Sequence, residues 1–342
     1  MSTTYTADYR YCRSMLPKVS RTFALVISIL SGEKFKAILL AYLLCRIADT
    51  IEDHPELPAD RKQELLALFL KSLREPVSVD PIRDAFEPYH TDGPDEELTW
   101  SVHRVLAVYQ TLSDGIRVAM VPSIEEMIRG MGKFQTFQVK RDSITALRDV
   151  AELEEYCYYV AGTVGVLLTN LFVQFMPALD ASRRQTMEQR AISFGIGLQL
   201  TNIIKDYNTD LQRGWCYLPL TVLSSHGLTP ELLRDQPNHP AIHGVIEELR
   251  NLARKHLLNA LDYTLAVPRM ERQIRLFCLW PLHMANQTLA AIDRNCGLFT
   301  GGTVKITRQD VKRTIVRTSL DWFSNRRQLA YFHQHAYHSL IP

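Results

Sequence analysis

Apolar residues recur every three or four positions along most of the chain. This spacing predicts helices over residues 20–31, 34–53, 59–73, 97–111, 145–175, 181–210, 240–266, 270–295 and 308–335. Helix starts are visible as well. Ser20 precedes an apolar run, and Thr229-Pro230-Glu231 places proline in a first turn. Glycine is sparse and collects at breaks: Gly32, Gly93, Gly214, Gly227 and Gly301-Gly302. Pro55, Pro58, Pro122, Pro219 and Pro268 read as further boundaries. No run alternates with the period of a strand flanked by hairpin turns, and no repeat of fixed period occurs. The stretch 76–98, rich in Pro, Asp and Glu, reads as an exposed loop. The expectation is one all-α domain over residues 1–342.

The run Tyr156–Leu179 carries no charge, yet Gly162, Gly165, Thr169, Asn170, Gln174 and Pro177 dilute it. It reads as a buried central helix of a large α-domain, not a membrane span. The chain is 46% hydrophobic and 22% charged, as in ordinary globular proteins. A net charge of +2 gives no basic footprint for nucleic acid. The cysteines Cys12, Cys45, Cys157, Cys216, Cys278 and Cys296 form no CxxC pair, which argues against zinc and redox couples. The polar N-terminus lacks the apolar core of a signal peptide. A cytoplasmic protein without a membrane-spanning anchor is expected, with peripheral membrane contact left open. Residues 321–334 are a weak candidate for that contact.

Two acidic stripes carry the chemistry. Asp49, Glu52 and Asp53 end an apolar helix at i, i+3 and i+4, so their carboxylates share one face. They repel one another, and the negative helix C-terminus adds to the repulsion. Asn202, Asp206 and Asp210 repeat every four residues on a second apolar helix. A divalent cation resolves such groupings; hard oxygen donors suit Mg²⁺, which takes one or two carboxylates plus phosphate oxygens and water. Arg46 beside the first stripe, and Lys205 and Arg213 beside the second, add positive charge. Two facing helices of this kind suit a metal-bridged diphosphate with a hydrocarbon tail. Either stripe alone reads more readily as a solvated acidic helix end; it is the two together that point to metal.

Five segments, in order, carry a resemblance: VSRTFALVI (19–27), YLLCRIADTIED (42–53), YCYYVAGTVG (156–165), LQLTNIIKDYNTDLQRGWCYLP (198–219) and LFCLWPLHMANQTLAAI (276–292). Over residues 12–320 the chain resembles the squalene/phytoene synthase family of head-to-head prenyl transferases. The resemblance implies an isoprenoid-synthase helical bundle around a central cavity. It implies joining of two prenyl diphosphates, farnesyl diphosphate foremost, through a cyclopropyl intermediate. By the same resemblance Asp49, Glu52, Asp53, Asn202, Asp206 and Asp210 match the Mg²⁺–diphosphate site. Tyr156 matches a tyrosine of the first half-reaction. Arg21, Phe23, Tyr42, Arg46, Gln199, Lys205, Arg213 and Phe277 match substrate-binding positions. Phe23, Tyr42 and Phe277 read also as plain core aromatics.

The fate of the final carbocation separates the family's members. Val304-Lys305-Ile306-Thr307-Arg308 resembles a basic motif near the phosphates of NADPH, so Lys305 and Arg308, with Asn202, are the candidate cofactor residues. Reduction to squalene is the expected outcome. Presqualene diphosphate, dehydrosqualene or phytoene are the non-reductive alternatives, and a class I terpene cyclase or a non-catalytic assembly factor are rivals from other classes. Three positions depart from the family: Thr307 in place of a basic residue, Ser14 in place of a lysine, and Trp215 in place of an arginine. Lys18 and Arg13 lie near Ser14. Oligomeric state is not legible.

Overall fold

A computed structural model describes residues 3–136, 139–141, 144–236, 239–294 and 304–336. Cys296 and Gly301-Gly302 lie outside these. The chain resolves into two compact units, one of Met1–Gly132 with Val166–Ala178, the other of Lys133–Gly165 with Leu179–Pro342.

The first unit is built on the helix Gly32–Asp53, whose residues from Ala37 to Ile51 are mostly buried. Helices Thr3–Val19, Ala59–Arg74, Pro94–Trp100 and Val102–Tyr109 pack around it. Its apolar positions are too many for one stripe, as a helix enclosed by neighbours requires. It stops at His54, which turns extended, with Pro55 next in the chain. Ser20 starts the short helix Arg21–Ile27, its hydroxyl accepting from the Phe23 amide at 3.1 Å. Arg104 pairs with Asp8 at 2.8 Å and joins the Val102–Tyr109 helix to the N-terminal one. Within the stretch read as a loop, residues 80–86 and 94–100 are helical. Pro122, read as a boundary, lies inside the helix Asp114–Thr136.

The second unit centres on the 32-residue helix Ala181–Gln212, packed along Ile242–Ala266. Three short strands, absent from the sequence-based expectation, join it. Val139–Arg141 pairs antiparallel with Ile144–Ala146, which pairs in parallel with Trp215–Cys216. They are two or three residues long, too short for a period of two to show. The expected helix over 308–335 is two helices, Arg308–Asp321 and Asn325–Ala336, broken by a turn.

The segment Val150–Phe175 is long and apolar enough to cross a membrane by length and composition alone. Every residue from 152 to 173 is buried or half-buried. At Tyr158–Gly162 the helix widens into one π-helical turn, a feature common at functional sites. There the chain meets the long helix backbone to backbone. A Cβ on Gly195 would lie 2.0 Å from the Ala161 carbonyl oxygen, and one on Gly165 would lie 2.1 Å from that of Ala191. Nothing larger than glycine fits. His256 reinforces the junction, contacting Glu154 at 3.0 Å and Ser193 at 3.2 Å.

Arg275 is fully buried. Its guanidinium donates to the Val267 carbonyl at 2.6 Å, the Trp322 carbonyl at 2.9 Å and Asn325 Oδ1 at 2.8 Å. Burial lowers its pKa to about 10. The cation sits just past the C-terminal end of the Ile242–Ala266 helix, where the helix dipole favours it. His283, also fully buried, donates from Nε2 to Gln328 Oε1 at 3.0 Å. Burial pushes its pKa down to about 3.

Two predictions follow from this packing. Gly195→Ala destabilises the protein by about 1–3 kcal/mol, because a backbone carbonyl cannot rotate away as a side chain can; urea unfolding measures it. For His283 the native pKa lies below the unfolded value near 6.5, so its neutral form favours the fold above about pH 6.5. That stability is lost as pH falls toward 3, at up to about 1.4 kcal/mol per pH unit. Thermal melts between these values show a downward slope, and His283→Asn flattens it.

Candidate active site

The first acidic stripe occupies the last turn of the Gly32–Asp53 helix, which has no basic residue there. Asp49 and Glu52 are half-buried, and Asp53 is exposed. Burial pushes the Asp49 carboxyl up to about 7; Arg46 opposes the shift, and Asp53 and Asp95 add to it. Arg46 stands one turn earlier. It donates to the Val19 carbonyl at 3.2 Å and lies 3.3 Å from Asp95. The approach to Asp95 satisfies charge without hydrogen-bond geometry, so Arg46 Nε and Asp95 Oδ1 are buried with no hydrogen-bond partner.

Asp95 was not singled out from the sequence. It sits in the first turn of the Pro94–Trp100 helix, within the acidic stretch read as a loop. Proline followed by three acidic residues is an N-terminal helix signal that could have found it. Tyr42 and Phe23 form an aromatic pair at 5.3 Å, with Phe23 39% exposed, so Phe23 is not a core residue. Burial raises the Tyr42 pKa against hydrogen bonds to Ser20 and Arg46. Arg21 is exposed in the first turn of its helix. Of the cations near Ser14, Lys18 pairs with Glu97 at 3.1 Å, and Arg13 lies over the Phe35 ring at 5.5 Å. Neither is a free substitute for a lysine.

The second stripe lies on the closing turns of the Ala181–Gln212 helix. Asn202 is exposed, and Gln199, Asp206 and Asp210 are half-buried. Lys205 Nζ lies 3.0 Å from Asp206 Oδ2 and 3.5 Å from Asn202 Oδ1. Burial raises the Asp210 pKa, Asp206 adds to this, and Arg213 and Lys205 oppose it. The helix ends at Arg213, and Gly214 turns the chain with φ 85° into the strand Trp215–Cys216. That φ favours glycine.

The turn delivers an aromatic ladder. Trp215 stacks on Tyr217 at 5.9 Å, Tyr217 stacks on Tyr156 at 4.8 Å, and Phe134 meets Tyr156 edge-on at 5.4 Å. Tyr156 thus enters a continuous run of rings that begins at the exposed Trp215. Tyr217 is the member the sequence did not reveal, since it is defined only by this stacking. Phe277 is buried in the Arg272–Arg294 helix. Lys305 and Arg308 are exposed at the start of the Arg308–Asp321 helix. Thr307 has a structural task that a basic residue could not perform. It caps that helix in a reciprocal box with Asp310, at 3.1 Å and 3.0 Å.

The two stripes fall in different units, and each stands on its own geometry. Among the described residues no three His, Cys, Asp or Glu side chains gather as a complete metal site. Carboxylates at i, i+4, with Asp49 and Asp210 raised in pKa, and an orphaned Asp95 oxygen nonetheless fit Mg²⁺. That ion needs only one or two carboxylates when phosphate oxygens and water complete its shell.

Comparison with known proteins identifies the family. The squalene/phytoene synthase family profile matches residues 16–310. Squalene synthase 1 of Arabidopsis thaliana is 31% identical over 315 residues, covering 90% of this chain and 70% of that protein. Squalene synthase of Schizosaccharomyces pombe is 30% identical, covering 91% and 65%. The chain therefore spans about two thirds of these relatives' length. Among solved structures, TcSQS with the ligand BPH1237 superposes with a TM-score of 0.81 at 25% identity, covering 96% of this chain and 90% of that one. A dehydrosqualene synthase superposes with a TM-score of 0.62 at 22% identity, covering 96% and 98%, which shows the shared all-α fold. On the profile, the identities and the fold together, the chain belongs to the squalene/phytoene synthase family.

Proposed function

We propose that this protein is a prenyl transferase that condenses two farnesyl diphosphates head to head through presqualene diphosphate, and reduces the product to squalene with NADPH. The observation that carries the reading is the pair of carboxylate stripes, Asp49/Glu52/Asp53 and Asp206/Asp210, each with its own cation, in a chain of this family. Each stripe would hold Mg²⁺, the second with Asn202, and the ion would supply Lewis-acid neutralisation of a departing diphosphate.

The chain's own groups do the rest. Arg46, Lys205 and Arg213 offer charge-assisted hydrogen bonds to phosphate oxygens, with Arg21 and Gln199 as further contacts. Ionisation leaves an allylic cation, which water would trap in an open site. The outer faces of Tyr156 and Trp215, at the two ends of the stack on Tyr217, offer cation–π stabilisation of about 0.5–2 kcal/mol each. Phe23 and Tyr42 offer a second aromatic surface in the other unit. The Tyr156 hydroxyl, or the released diphosphate, takes the proton lost beside the cation. Lys305 and Arg308, exposed at a helix start, suit the phosphates of NADPH. Thr307 and Trp215 favour the second reading, release of a non-reduced product, because both replace a cation of the family pattern.

Two measurements test the proposal. Asp49→Asn and Asp206→Asn each lower diphosphate release by at least about a hundredfold with unchanged melting temperature. Wild-type turnover in either variant removes that stripe from the mechanism. Incubation with farnesyl diphosphate and Mg²⁺, analysed by mass spectrometry with and without NADPH, yields squalene only when NADPH is present. The same product in both reactions overturns the reductive reading.

A further inference from the structure

The helix pair Arg308–Asp321 and Asn325–Ala336 carries an exposed apolar surface that the catalytic reading leaves unexplained. Val316 is 58% exposed, Leu320 69% and Phe323 48%. At about 100° per residue Val316 and Leu320 share one face of the first helix with Lys312 and Arg313. Phe323 follows in the turn at its end. Thr314 and Thr318 lie on the opposite face and are fully buried. The helix is therefore seated correctly on its inner side, and its apolar outer residues are not an unpacked core face.

The charges around this surface have one sign. Residues 308–336 hold six Lys and Arg (Arg308, Lys312, Arg313, Arg317, Arg326, Arg327) against Asp310 and Asp321. Both acids are engaged. Asp310 closes the capping box with Thr307, and Asp321 pairs with Arg327. Lys312, Arg313 and Arg326 are exposed. Val316 and Leu320 also line an open groove of about 1020 Å³, rimmed by Lys312, Arg313, Arg317 and Arg327. A chain of net charge +2 thus concentrates its basic excess around exposed aliphatic and aromatic side chains.

We infer that this face docks on an anionic lipid bilayer. Val316, Leu320 and Phe323 enter the acyl boundary, and Lys312, Arg313 and Arg326 meet lipid phosphates. Apolar insertion with basic flanks is what an interfacial helix requires. An acidic protein surface would satisfy the charges but would leave three separate large side chains without an acyl-like medium. The inference is independent of the reaction proposed above.

The test is flotation of the full chain with vesicles of phosphatidylcholine, with and without phosphatidylserine. The wild type floats with phosphatidylserine vesicles, stays below with phosphatidylcholine alone, and is released by high salt. Val316→Ser/Leu320→Ser/Phe323→Ser lowers the bound fraction about tenfold. Lys312→Glu/Arg313→Glu, on exposed side chains, loses the preference for phosphatidylserine even if the first variant folds poorly. A wild type that ignores phosphatidylserine vesicles overturns the inference, as does undiminished binding by the charge-reversed variant. A dimer in gel filtration that the apolar variant dissolves, without vesicle binding by either, assigns the face to self-association instead and equally overturns it.

Discussion

Like charges spaced three and four residues apart on a helix repel, and burial raises the cost of ionising them. Asp49 meets both conditions at the negative end of its helix, and its carboxyl is pushed up to about 7. Asp210 is raised for the same reasons, with Asp206 as its neighbour. The protein answers only in part, with one cation near each stripe: Arg46 at Asp95, and Lys205 at Asp206. The deficit that remains is suited to a divalent ion and a diphosphate. Residues around the first stripe are arranged so that this deficit persists. Arg46 is drawn toward the Val19 carbonyl and Asp95 and is not spent wholly on the acidic turn.

A second constraint fixes where the chemistry of the other unit can occur. The long helix bearing Asp206 and Asp210 approaches the segment bearing Tyr156 at backbone distance, which only Gly165 and Gly195 permit. The π-turn after Tyr156 and the contacts of His256 with Glu154 and Ser193 hold that junction. From the same long helix the chain turns at Gly214 into Trp215 and Tyr217, whose rings stack back onto Tyr156. Carboxylates, aromatic faces and tyrosine hydroxyl are therefore carried by one closely packed set of elements. This arrangement suits a cation that must be formed and shielded in one place.

Much of this was legible in the order of residues. The long apolar-periodic helices, Ser20 as a cap, and both acidic stripes follow from local spacing, because helical geometry repeats every few residues. The stretch 76–98 was misread because its helices are short and polar, so composition outweighed periodicity; Asp95 was missed with it. Pro122 was misread because proline inside a helix is tolerated where neighbouring packing compensates the lost hydrogen bond.

The sequence by itself determined the all-α class, the family and the identity of the acidic ligand candidates. These rest on local periodicity and on residue types at fixed spacing. Tertiary structure alone decided the remainder. It paired Arg46 with Asp95, drew Lys18 to Glu97, and set Tyr217 between Trp215 and Tyr156. Each of these outcomes depends on which distant residue comes within a few ångströms. That is not encoded by spacing along the chain.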